Sequence, residues 1–196
     1  TLLDDHQQIP KENELALKEA VAKGVDIAIC SGRLGGDVFY YTDRYDLPTC
    51  HVLSLNGGCG FLLPHQAPYA THTLRPETLQ AVLEVLEEQG VTYACFQPNR
   101  VIVMNEHPSV NPISWGTYLG LPGAPEKVEG AKALQRYQAE GVCKVVYIDP
   151  EQPSRLARIR ERLDQVAGLN VTSSWSDNLE LMPQGIIRAF ALLKKA

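Results

Sequence analysis

Apolar residues fall along the chain in two textures, and the change between them comes near residue 60. In the first stretch Leu15, Leu17, Ala20 and Val21 recur on one side of a helical period that Pro10 can open and Gly24 can close. Val25 to Cys30 follows as a nearly continuous apolar run, the pattern of a strand buried on both faces of a parallel sheet. It ends in the turn Ser31-Gly32-Arg33, after which a second helix is predicted to about Tyr45. His51 to Leu55 reads as another short buried strand, ending at Asn56-Gly57-Gly58, where two glycines permit a tight backbone. Helix, strand, turn and helix in this order predict an α/β fold built on a parallel sheet.

Beyond Gly60 the strands shorten and turn residues crowd between them. Strands are predicted at Phe61–Leu63, Tyr69–Thr73, Val91–Phe96, Val101–Asn105, Val142–Asp149 and Leu169–Ser174, with helices at Pro76–Gln89, Ala131–Glu140 and Pro153–Val166. A loop rich in Pro and Gly spans Gly116 to Glu126. This reads as an inserted α/β module, residues 60–175, whose sheet is at least partly antiparallel. Residues 1–59 and 176–196 form the first module, to which Asn178–Met182 returns as a strand and Ile186–Ala196 as a helix.

Composition narrows the partners. The 196 residues are 44% hydrophobic and 21% charged, as in ordinary globular domains, and no apolar run approaches the roughly 20 residues of a bilayer crossing, so no membrane partner is expected. A net charge of −5 argues against a sequence-independent grip on nucleic acid, which needs clustered cations. The one cluster, Arg155, Arg158, Arg160 and Arg162, alternates with Glu161 and Asp164 and reads as the solvated face of a helix. Five cysteines without CxxC spacing predict reduced thiols, mostly buried, in a cytoplasmic protein. His6, His51, His65, His72 and His107 show no metal-ligand spacing.

In open α/β sheets ligands bind beyond the carboxyl ends of the strands, which singles out three turns. Ser31-Gly32-Arg33 sets a hydroxyl, a flexible backbone and a guanidinium before a helix start, where free N–H groups favour an anion; the same tripeptide also serves as an ordinary N-cap with a surface arginine. Asn56-Gly57-Gly58 offers an amide beside two backbone N–H groups, or a plain turn. Pro183-Gln184-Gly185 leads to Arg188, a cation in a first helical turn that opposes the helix dipole unless an anion or a carboxylate answers it. The glycines 32, 35 and 36 do not have GxGxxG spacing, although a phosphate loop there remains a third reading.

In order, these segments resemble the Cof-type branch of the haloacid dehalogenase-like hydrolases. Thr1-Leu2-Leu3-Asp4-Asp5 is similar to the tail of that family's DxDGT-LL opening, and Ile29-Cys30-Ser31-Gly32-Arg33 to its second motif. Ser54-Leu55-Asn56-Gly57-Gly58 resembles its Asn-Gly-Gly turn, and Leu179 to Gly185 its Leu-Glu-Ile-x-Pro-x-Gly return. The resemblance implies a Rossmann-like core with a large inserted cap. It also implies a magnesium-dependent phosphatase of small phosphorylated metabolites, sugar phosphates or nucleotide-like cofactors, working through an aspartyl-phosphate. Ser31 would bind phosphoryl oxygens, Arg188 would stand where the family has a lysine, and Thr1, Gly32, Arg33, Asn56 and Gly57 would line the substrate site. Arginine keeps the charge of lysine without being its equivalent. The nucleophilic and acid-base aspartates and the magnesium carboxylates would come from segments before Thr1 and after Ala196, so this stretch by itself is expected to be neither catalytically competent nor well folded. The alternative is a binding or regulatory protein that kept the fold and lost the chemistry. A monomer or a homodimer is expected.

Overall fold

A computed structural model describes residues 2–47, 50–98, 100–105, 126–129, 134–135, 138–149 and 151–186; at 65, 66, 126–129 and 138 only the backbone is described. The first sheet has the order β1-β2-β3-β4, from Ile27–Cys30 (β1), Cys50–Ser54 (β2), Cys59–Leu62 (β3) and His65–Thr71 (β4). Its β1–β2 pair is parallel and the other two pairs are antiparallel. Helix α1 (Lys11–Ala22) precedes β1, starting after Pro10 and ending before Gly24 at φ +79°. Helix α2 (Gly35–Arg44) joins β1 to β2 and buries Val38, Phe39 and Tyr41. Gly35 fits there because a side chain would meet the Phe61 ring, its Cβ falling 2.9 Å from it.

The second sheet has six strands in the order β7-β6-β5-β8-β10-β9. They are Tyr93–Gln97 (β5), Arg100–Met104 (β6), Glu126–Glu129 (β7), Lys144–Ile148 (β8), Leu169–Thr172 (β9) and Asn178–Pro183 (β10). All pairs are antiparallel except β6–β7. Successive side chains point to opposite faces of a strand, and both faces here are used. Tyr93, Cys95, Ile102, Val145, Tyr147, Leu179 and Leu181 pack in one cluster with Val82, Val85 and Leu86 of helix α3 (Pro76–Glu87) and Leu156, Ile159 and Leu163 of helix α4 (Pro153–Leu163). Their strand neighbours Ala94, Phe96, Val101, Val103 and Val146 pack instead with Leu34, Val38 and Phe39 at and in α2 and with Val52 and Phe61 of the first sheet. The second sheet is therefore a wall between its own helices and the first unit.

The structure departs from the sequence reading at several points. The run Val25–Cys30 is not buried on both faces: β1 alternates, with Ile27 and Ile29 packed against the core and Ala28 and Cys30 exposed, because its described strand partner is β2 alone and no described helix covers its outer face. The hydrogen bonding also divides the strands differently from the module boundaries read in the sequence. The turn at Asn56–Gly58 is too tight to carry the chain away, so β3 folds back on β2 and, with β4, stays in the first sheet. Asn178–Pro183 pairs with β8 and β9 in the second sheet rather than returning to the first, since Leu179 and Leu181 belong to the cluster under α3 and α4. Leu15 of α1, expected on an apolar face, is exposed, while Leu17, Ala20 and Val21 are half-buried. The 116–125 loop, most of the helix predicted at 131–140 and the helix predicted from Ile186 lie outside the described residues.

Candidate functional site

The ends of β1 and β2 are stitched together. Ser31 N–H donates to the Leu53 carbonyl at 2.8 Å, Asn56 N–H to the Ser31 carbonyl at 2.9 Å, and Leu55 N–H to the Arg33 carbonyl at 2.9 Å. Leu55, Asn56 and Gly57 follow one another with φ of +50°, +59° and +100°. Glycine takes this left-handed backbone freely and asparagine tolerates it, but for leucine it costs roughly 1–2 kcal/mol. The distortion aims the Asn56 amide at the second sheet, where Nδ2 donates to the Glu180 carboxylate and approaches Met182 Sδ at 3.3 Å. Ser31 Oγ accepts the Arg33 N–H at 3.1 Å, which leaves the hydroxyl proton to donate elsewhere. The Arg33 guanidinium donates to Gln7 and lies 5.7 Å over the Tyr41 ring. Leu2, Leu3 and Asp4 line a hollow of about 620 Å³ that they share with Ser31 and Arg33.

The opposite wall is the inner face of β8 and β10. Lys144, 4% exposed, donates from Nζ to the Gly32 carbonyl at 3.0 Å, lies 3.4 Å from Glu180 Oε2 and stands 5.3 Å over the Phe96 ring. A second cleft, of about 210 Å³, lies between this wall and the Ser31–Arg33 turn. Glu180 also accepts from the Ser174 hydroxyl, and from Asn178 Nδ2 at 3.4 Å. Burial pushes the Glu180 carboxyl up, but the Lys144 charge and the hydrogen bonds from Ser174 and Asn56 outweigh it, and the group sits below the ordinary carboxylate range. Asn178 Oδ1 accepts the backbone N–H groups of Ser174 at 3.0 Å and Trp175 at 2.9 Å, fixing the loop that enters β10. Trp175 lines the cleft at its mouth and is 64% exposed.

Behind the turn, in the first turn of α2, Asp37 is fully buried and neither carboxylate oxygen has a hydrogen-bond partner among the described residues. Burial raises its pKa to about 7, against the opposing pull of Arg33 and the Leu34 backbone.

Of the residues proposed from the sequence, Ser31, Gly32, Arg33 and Asn56 come together across the β1 and β2 ends, and Gly57 shapes the turn that aims Asn56. Thr1 and Arg188 lie outside the described residues. Lys144, Ser174, Trp175, Asn178 and Glu180 were not singled out. A signal existed for two of them: Lys144 is a lone charge beside the apolar run Val145-Val146-Tyr147-Ile148, and Glu180 interrupts Leu179-Leu181-Met182. Such isolated charges in core strands are costly unless paired. Within β5, Phe96 lines the cleft while Tyr93 packs under the helices.

Among the described residues no three His, Cys, Asp or Glu side chains converge as a metal site. The Glu180 carboxylate, already held by an ammonium and three other donors, does not fit a hard cation.

A sequence profile of haloacid dehalogenase-like hydrolases matches residues 1–195. No curated protein matches the chain significantly. Among solved structures, a haloacid dehalogenase-like hydrolase from Bacteroides thetaiotaomicron is 19% identical with a TM-score of 0.78, the match covering 100% of this chain and 72% of that one. A haloacid dehalogenase-like hydrolase from B. subtilis is 18% identical with a TM-score of 0.79, over 100% and 74% of the two chains. A HAD subclass IIB sugar phosphatase is 18% identical with a TM-score of 0.74, over 100% and 71%. At these identities the likeness is one of fold.

Proposed function

The chain belongs to the haloacid dehalogenase-like hydrolases, and from that premise we propose that it serves a cytoplasmic phosphatase that hydrolyses phosphate monoesters of small metabolites through an aspartyl-phosphate, with magnesium. The observation that carries the reading is the meeting of Ser31-Gly32-Arg33 with the β8–β10 wall across one cleft: a hydroxyl with its proton available, a glycine turn and the Arg33 guanidinium face Lys144, whose ammonium is shared with Glu180 and the Gly32 carbonyl, and this supports an anion-binding turn. The description of one structural relative as a sugar phosphatase supports the same substrate class.

In this reading Ser31 donates its hydroxyl proton to a phosphoryl oxygen, Arg33 balances charge on the bound ester, Lys144, paired with Glu180, holds the Gly32 turn in place, and the inner face of β8 and β10 meets the alcohol that leaves. Magnesium, when bound, would supply Lewis-acid stabilisation of the phosphoryl group. The described side chains do not provide its carboxylate set, and no step is assigned through it.

The test is hydrolysis of p-nitrophenyl phosphate and a panel of sugar phosphates by the intact protein with magnesium. Turnover is expected, and Ser31→Ala is expected to lower kcat/KM by about 10²-fold, the usual worth of one transition-state donor. No turnover across the panel, with tight binding of a phosphorylated metabolite, would favour a binding protein instead.

A further inference from the structure

We propose that Trp175 is the platform that selects the leaving group, and that the ester this cleft admits carries one compact hydroxylated ring, the size of a monosaccharide. The inference rests on the phosphatase reading and deepens it.

Three observations converge on Trp175. First, it is 64% exposed, in a chain that hides most of its large apolar side chains. A large aromatic left in water beside a polar cleft is a ready surface for a ring that stacks on it. Second, the indole stands on a braced loop. The backbone N–H groups of Ser174 and Trp175 both donate to Asn178 Oδ1, and Asn178 is itself buried at the start of β10. The platform is therefore set before any ligand arrives, which spares the cost of ordering it on binding. Third, what adjoins it is the Ser174 hydroxyl, the Asn178 amide and the Glu180 carboxylate. Asn178 and Glu180 are buried and committed to each other and to the loop, and they hold the exposed Ser174, whose hydroxyl proton is given to Glu180 and whose Oγ is left to accept from a ligand hydroxyl, while the indole face takes the apolar side of a sugar ring.

The space between the two walls is small. The cleft of about 210 Å³ falls below the roughly 300–1,000 Å³ of pockets that enclose drug-sized ligands. With the phosphoryl group at Ser31, the space toward Trp175 suits one ring rather than a base, a ribose and a further substituent.

The experiment compares the intact protein with Trp175→Ala and Trp175→Phe on three substrates: a hexose 6-phosphate, glycerol 3-phosphate and a nucleoside monophosphate. Trp175→Ala is expected to lower kcat/KM for the hexose ester about three- to tenfold, the worth of one aromatic contact. Glycerol 3-phosphate should change less than twofold, and Trp175→Phe should recover most of the loss. Equal losses on the hexose and glycerol esters would overturn the platform while leaving the phosphatase standing. A nucleoside monophosphate that is the better substrate and suffers the larger loss would overturn the single-ring assignment. If the wild type turns over none of the three, the phosphatase reading fails, and the platform is judged by binding alone. In a Trp115→Phe background, hexose 6-phosphate is then expected to perturb the fluorescence of Trp175, and an unchanged spectrum at saturating ester would overturn it.

Discussion

At the scale of the residue, Asp37 carries the clearest pH signature. Its carboxyl is buried, without a side-chain partner among the described residues, and raised to about 7, so the folded protein holds a proton there that the unfolded chain releases near the ordinary value of 3.8. Stability from this group is complete below about pH 4, falls as pH rises, and is exhausted above pH 7. At about 1.4 kcal/mol per pH unit the span is on the order of 4 kcal/mol. Asp37→Asn keeps the shape without the ionisation. Thermal melts at pH 5 and pH 8.5 should show the wild type losing ground to the variant at the higher pH, and parallel behaviour of the two proteins would refute the assignment. Asp37 was not legible in the sequence, where an acid in the first turn of a helix reads as a favourable dipole partner facing water.

At the scale of the element, α4 shows how a buried acid starts a helix. Asp149, at the end of β8, accepts from Gln152 N–H at 3.1 Å, from Arg155 Nε at 2.6 Å and from the Tyr147 hydroxyl. Burial pushes its carboxyl up, but hydrogen bonds from Arg155 and Tyr147 outweigh it and hold the group below its ordinary range. Stability from this group is present above the ordinary carboxylate pKa and lost as pH falls through the lowered folded value. Asp149→Ala is expected to destabilise by about 1–3 kcal/mol in urea unfolding at pH 7, with the difference from wild type narrowing in acid. The apolar runs of β5, β6 and β8 were legible because a buried strand needs them. Which side of each run faces helices and which faces the first unit was not, since both faces are apolar and period-two contrast vanishes. β7, Glu-Lys-Val-Glu, has no strand signature at all, because an edge strand satisfies its backbone through β6 alone and tolerates charge.

At the scale of the whole molecule, Lys144 and Glu180 tie the two units together. Lys144 reaches the Gly32 carbonyl of the first unit, and Glu180 holds the amide of Asn56. Both side chains are nearly sealed from solvent, at 5% and 8% exposure. Removing one charge strands the other, so Lys144→Met is expected to lower stability by about 3–5 kcal/mol. Lys144→Met combined with Glu180→Leu should lose less than the single change does, and a double variant as weak as the sum of the singles would show that the pair is not coupled. The sequence made the first wall of the site readable, through the turns after β1 and β2. The second wall was hidden because its residues lie on a sheet whose register only the fold decides.

That register has a further consequence. Because β10 sends Leu179 and Leu181 beneath the helices and Asn178, Glu180 and Met182 toward the cleft, the strand works as a two-letter code read by parity. Gain or loss of one residue within the strand itself would exchange the two readings for everything beyond it, driving a polar side chain among leucines or turning a leucine toward the cleft, whereas the loop before it can absorb such a change. Changes of two residues would preserve the alternation, so tolerance to insertion inside β10 is expected to follow even numbers rather than length.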